Sequence, residues 1–129
     1  MATIALGAKD FQQTILDNDI VLVDFWASWC APCRMFAPVF EAASTAHEGV
    51  VFGKVDTEAE QALAGALRIT SIPTLMAFRE GILVFSQAGA LPAAALEQVV
   101  DAVVSLDMDD VKAQVAAQQA QSAAASAER

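Results

Sequence analysis

One segment constrains the fold of this chain more than any other. It is the run Ile20-Val21-Leu22-Val23-Asp24-Phe25-Trp26, followed closely by Cys30-Ala31-Pro32-Cys33. Seven residues that are apolar except for one acid read as a central strand covered on both faces. The residues from Pro32 onward read as a helix. The two cysteines, the only ones in the chain, therefore fall where a buried strand turns into a helix. At a helix N-terminus, unpaired N–H groups and the macrodipole favour an anion, and so a thiolate. The i, i+3 spacing lets both sulfurs share one helical face, close enough to bond to each other. Cys30 is the candidate nucleophile and Cys33, one turn inside the helix, the candidate resolving thiol. Two other readings stay open: a pair of buried small apolar residues, or half of a metal site. A metal would need two more ligands. The chain offers one histidine, His47, and no second cysteine pair. No metal is expected within one chain, while a metal bridging two copies remains open.

The 129 residues fit one domain, and a hydrophobic fraction of 56% suffices for a core without staples. No apolar stretch is long enough to span a bilayer. Residues 1–10 lack a basic segment followed by an apolar core, so no secretory signal is expected. These features predict a cytoplasmic protein with no membrane association, where a cysteine pair is catalytic or metal-binding rather than structural. The net charge of -9 repels phosphate backbones and argues against a nucleic-acid partner.

Along the chain, Phe11, Ile15 and Leu16 predict a helix over residues 8–16. A second helix is expected over residues 32–47, with Phe36, Val39, Phe40 and Ala43 on one side. Pro38 should bend it, Gly49 should stop it, and His47 should be a solvated helix-end residue. Residues 50–56 read as another strand. Thr57 and Glu60 are spaced as a capping box, predicting a third helix to Leu67. Strands over residues 74–79 and 82–87 flank Glu80-Gly81, a tight hairpin. Pro92 should open a last helix with the buried stripe Leu96, Val99, Val103 and Leu106. The order predicts an α/β protein, a mixed central β-sheet flanked by helices on both faces. Residues 1–106 form the expected domain. Residues 107–129, rich in Ala, Gln and Ser, carry too little apolar surface for a core and are expected to be a helical or disordered tail.

Asp24 and Lys54 each interrupt an apolar strand. A buried carboxylate is costly unless paired or neutral. Desolvation should raise its pKa, which suits a proton acceptor near neutral pH. An edge-facing acid bonded to a loop is the other reading for Asp24, and a snorkelling surface residue the other reading for Lys54. Pro73 follows Ile72 in a short loop. It is either an ordinary turn proline or a cis-proline presenting the Ile72 backbone to a ligand.

The segment from Val21 to Pro38, with its Trp29-Cys30-Ala31-Pro32-Cys33 core, resembles the active-site segment of the thioredoxins. Ser71-Ile72-Pro73-Thr74 is similar to their cis-proline loop, and Gly81 and Gly89-Ala90-Leu91 to their later glycine positions. The likeness covers roughly residues 3–106. It departs at Ala31, where thioredoxins usually carry glycine, and in the tail. The resemblance implies the thioredoxin fold and a protein disulfide reductase working through Cys30 and Cys33. In this reading Asp24 takes the proton of Cys33, and Lys54 lies near Asp24. Trp29, Ala31, Ile72, Gly89 and Ala90 contribute to substrate binding, the loop at Pro73 lies against the disulfide, and Trp26 is core packing. No tightly bound cofactor is implied. Electrons come from NADPH through a separate flavin enzyme, a thioredoxin reductase, and the partners are disulfide-containing client proteins. The protein is expected to be a monomer. Pro32 favours reduction, because strongly oxidising relatives place a histidine there to stabilise the thiolate. The alternatives are a disulfide oxidase or isomerase, and a chaperone-like binding module that uses the tail.

Overall fold

The computed structural model describes residues 3–127, with side chains to residue 125. The ends of the expected domain and tail, residues 1–2 and 128–129, lie outside the described residues. A five-stranded sheet has the order β1-β3-β2-β4-β5. Its strands are β1 (Ile4–Ala5), β2 (Ile20–Trp26), β3 (Val51–Asp56), β4 (Thr74–Arg79) and β5 (Ile82–Ala88). β1, β3 and β2 run parallel, whereas β4 and β5 are antiparallel to their neighbours. The helices are α1 (Phe11–Asp17), α2 (Ala31–Ala46), α3 (Gln61–Ala66), α4 (Ala93–Val104) and α5 (Met108–Ala127). The mixed sheet with helices on both faces is as expected; the two-residue strand β1 is too short to leave a periodic signal.

Alternation along β2 divides the core. Ile20 and Leu22 join Phe36, Phe40, Phe52, Leu96 and Val100 under α2 and α4. Val21, Val23 and Phe25 join Phe11, Ile15, Val55 and Phe78 under α1 and α3. Asp24 shares the parity of Leu22, so it faces the α2 layer rather than solvent.

Five local expectations are corrected. The first helix begins at Phe11, not Ala8, because residues 8–10 form a turn in which Gly7 N–H donates to Asp10 Oδ1 at 2.8 Å. On this seven-residue helix Phe11 and Ile15 are buried, while Leu16, one position further round, is exposed. Thr57 and Glu60 form no capping box. Thr57 Oγ1 donates to the Trp26 carbonyl at 3.0 Å, Glu60 Oε1 accepts from Ala8 N–H at 2.8 Å, and α3 begins only at Gln61. The preceding turn is held by Asp56 Oδ1, which accepts from Glu58 N–H at 2.9 Å. In α4 the buried stripe is Leu96, Val100 and Val103, with Val99 and Leu106 only partly buried. Pro92 is the cap before the helix rather than its first residue.

The fourth correction is His47. Its Nε2 lies 2.7 Å from Glu97 Oε2, and its ring stacks on Phe52, so it joins α2 to α4 rather than facing water. The fifth is that α4 is not the last helix. The tail forms α5, which buries Met108, half-buries Val111 and Val115, and donates from Lys112 Nζ to Glu80 Oε1 at 2.6 Å.

Candidate active site

Cys30 is the N-cap of α2 and Pro32 lies in its first turn. Cys33 N–H donates to Cys30 Sγ at 3.2 Å, so one of the free donors at the helix start is directed onto that sulfur. The two cysteines form a disulfide with Cα atoms 5.2 Å apart. Both are only 3% exposed. They pack with Ala27, Trp26 and Ile72 in a small cluster. Cys30 Sγ lies 3.6 Å from the Ile72 carbonyl oxygen.

The Ile72–Pro73 peptide is cis. The loop is pinned by Thr74 Oγ1 donating to the Ser71 carbonyl at 2.5 Å and by Gly89 N–H donating to the Pro73 carbonyl at 2.8 Å. Gly89 does so at φ +104, a backbone state that glycine adopts freely.

Of the residues expected at the substrate surface, Ile72 packs against the cysteines and Ala90 is exposed. Trp29 is 66% exposed and is held by its indole N–H, which donates to Glu58 Oε1 at 2.8 Å. Glu58 was invisible in the sequence because no spacing rule links residues 29 apart. Trp26, expected in the core, is partly buried against the small core cluster of Ala27 and the two cysteines. Arg34 Nη1 donates to the Ser28 carbonyl at 3.0 Å and ties the first turns of α2 to the loop before the disulfide. Ala31 and Pro32 are both exposed at the helix tip.

Asp24 is completely buried, and neither carboxylate oxygen has a hydrogen-bond partner among the described residues. Burial pushes its pKa up from 3.8 to about 6, while the Lys54 charge pulls it back in part. Lys54 is the register partner of Asp24 on β3, and its Nζ lies 5.1 Å from the centre of the Trp26 ring. The strands thus bring the two interrupting charges together. The edge-facing reading of Asp24 does not hold, and Lys54 is half-buried with its amine over Trp26. Among the described residues no group of three or more His, Cys, Asp or Glu could hold a metal ion.

A family model for thioredoxin matches residues 2–102. The chain is 55% identical to a putative thioredoxin 2 of Streptomyces coelicolor over 120 residues, spanning 93% of this chain and 90% of that protein. It is 41% identical to a thioredoxin of Porphyra purpurea, spanning 81% of this chain and all of the other. A solved mutant thioredoxin from Halobacterium salinarum superposes with a TM-score of 0.74 at 33% identity, covering 81% of this chain and 91% of that one. Fold and site together define a thiol–disulfide oxidoreductase of the thioredoxin fold. The chain belongs to the thioredoxin family, whose members carry their redox equivalents in the cysteine pair and need no tightly bound cofactor.

Proposed function

We propose that this chain reduces protein disulfides with Cys30 as nucleophile, Cys33 as resolving thiol and Asp24 as proton acceptor. The observation that carries this reading is the Cys30–Cys33 disulfide at the α2 N-terminus, on the sheet face where Asp24 lies buried and unpartnered. In the reduced protein, Cys30 thiolate attacks one sulfur of a client cystine. The client S–S bond breaks, a mixed disulfide forms, and the second client sulfur leaves as a thiolate. Asp24 accepts the proton of Cys33. The Cys33 thiolate attacks Cys30 Sγ and the remaining client thiolate leaves. The client has gained two electrons and the chain ends as the Cys30–Cys33 disulfide.

Several features support these roles. The Cys33 N–H directed onto Cys30 Sγ stabilises a thiolate there. A carboxyl with its pKa pushed up to about 6 suits uptake of a proton near neutrality. Lys54 offsets part of the desolvation of Asp24. The Ile72 carbonyl beside Cys30 Sγ offers a backbone edge on which an extended client segment can lie, with Trp29, Gly89 and Ala90 contributing to binding. Electrons return from NADPH through a separate flavin-containing thioredoxin reductase. The protein works as a cytoplasmic monomer on disulfide-containing clients. No helix among the described residues is long and apolar enough to cross a membrane.

The roles are tested by trapping. Cys33→Ser should attack clients but fail to resolve them, so mixed disulfides should accumulate on Cys30. Cys30→Ser should trap nothing. Clients found by mass spectrometry mainly on Cys33 would reverse the assignment.

A further inference from the structure

Arg68 occupies a backbone position that favours glycine. It follows α3 with φ +58. Arg68 N–H donates to the Gly65 carbonyl at 3.0 Å and Ile69 N–H to the Ala64 carbonyl at 2.9 Å. These are the paired bonds of a Schellman stop, and Leu63 and Ile69 pack on the same core, a contact that often accompanies the motif. The left-handed residue of such a stop is usually glycine, because a Cβ there is crowded. Here a long cationic side chain stands in its place. A strained position that keeps a residue the local backbone does not favour points to a use for the side chain.

That use lies outside the chain's own contacts. Arg68 is exposed, and its guanidinium makes no hydrogen bond or ion pair among the described residues. Among the described residues, Lys9 on the turn before α1 is likewise exposed and unpaired, whereas the other cations are engaged. Arg79 pairs with Asp19, Lys112 with Glu80, Lys54 stands over Trp26, and Arg34 binds the Ser28 carbonyl. In a chain of net charge -9, a free guanidinium is a local exception. It lines a cleft of about 180 Å³ together with Thr70, Ser71, Thr74, Gln87 and Ala88, and no carboxylate lines that cleft. Ser71 and Thr74 bracket the Ile72-Pro73 loop, whose Ile72 carbonyl is 3.6 Å from Cys30 Sγ. A client segment laid along that loop would carry a neighbouring side chain over the cleft.

We propose that Arg68 is a specificity residue, selecting clients that carry a carboxylate side chain close to the attacked cystine. The proposal rests on the reductase reading above. A guanidinium suits this task because its planar fork binds a carboxylate through two parallel hydrogen bonds. A lysine or arginine at the same client position meets like charge instead.

The test uses disulfide-linked peptides with Glu, Gln or Lys two residues before or after each cysteine. The second-order rate at which the pre-reduced full-length protein reduces each peptide is measured, so no recycling enzyme enters. The wild type should reduce the best-placed Glu peptide about tenfold faster than its Lys counterpart at low salt, and the ratio should shrink at about 0.5 M salt, where the screening length is only a few ångströms. Arg68→Gly and Arg68→Asn both tolerate a positive φ, so folding is preserved. In both, the Glu-to-Lys ratio should fall towards one, and Arg68→Glu should invert it. A purely structural Arg68 would change all peptides alike. A wild-type ratio below about two, or the same ratio in Arg68→Gly, overturns the proposal. If the pre-reduced protein reduces none of the peptides although dithiothreitol does, the reductase reading fails as well, and the Gln peptides separate that outcome from a failure of charge selection alone.

Discussion

Asp24 sits in the folded protein as a carboxyl without exposure or hydrogen-bond partner, with only the Lys54 charge to favour ionisation. Its pKa of about 6 against 3.8 when free means that ionisation opposes folding. The sign follows from proton binding. Between pH 3.8 and about 6 the folded state holds a proton that the unfolded chain has released, so stability falls as pH rises through that window. Above it the penalty is complete, on the order of 3 kcal/mol. Asn keeps the shape without the charge but buries an unpartnered amide, which takes back part of the gain. Asp24→Asn should therefore be more stable than wild type at pH 7 by about 1–3 kcal/mol, with the difference shrinking towards pH 3. It should also reduce disulfides more slowly, because Cys33 loses its proton acceptor. Paired urea unfolding at both pH values, with turnover at pH 7, checks both parts. A variant destabilised at pH 7 but fully active would make Asp24 a structural acid only.

At the scale of elements, Arg79 joins three pieces of the fold. Placed at the end of β4, its Nη1 donates to the Val103 and Val104 carbonyls at 2.8 and 3.0 Å, and its Nε to Asp19 Oδ1 at 3.2 Å. It thus caps the C-terminus of α4, where the Val103 carbonyl also accepts from Leu106 N–H at 3.4 Å and a cation meets the negative end of the helix dipole. Arg79→Met keeps the aliphatic stem but removes the three side-chain bonds. It should cost about 2 kcal/mol in urea unfolding, with disulfide reduction unchanged because Arg79 lies at the far end of β4 from Pro73. A loss below about 0.5 kcal/mol would mean the cap is dispensable.

Nothing in the sequence marked Arg79, since its partners lie 24, 25 and 60 residues away. The same holds for Glu58 under Trp29. What the sequence did reveal has a local signature: the apolar run of β2, the Glu80-Gly81 turn, in which both residues have positive φ, and the cysteine spacing. Capping residues misled for the same reason. Thr57 and Glu60 are spaced for a box, yet tertiary acceptors and donors on Trp26 and Ala8 capture both side chains first. The pairing of Asp24 with Lys54 lay between these cases. Each interruption was visible, but its register partner is fixed only when β2 and β3 align.

At the scale of the whole molecule, α5 follows the sheet and its four other helices. The β5 edge of the sheet runs beside it, and a groove lined by Ile82, Val84, Leu106, Val111 and Val115 separates the two. Met108, 8% exposed, is the one residue of α5 that is buried among those described. Beyond Val115 the described side chains of α5 are all exposed. Burying one methionine stabilises by about 1.5–3 kcal/mol. The Lys112–Glu80 pair is solvent-exposed and contributes less, since such pairs are screened and pay side-chain entropy. Met108→Ser should therefore lower stability more than Lys112→Gln, and only the latter effect should fade in high salt. We propose that the helix is dispensable for chemistry, as none of its described residues approaches the disulfide cluster. Truncation after Leu106 should lower stability by about 1–3 kcal/mol and leave the rate of insulin reduction within about twofold of wild type. Thermal unfolding and insulin turnover on the same preparation measure the two together. A folded truncation that loses most of its turnover would show that the tail takes part in client or reductase binding, and the boundary at residue 106 would then divide one working unit.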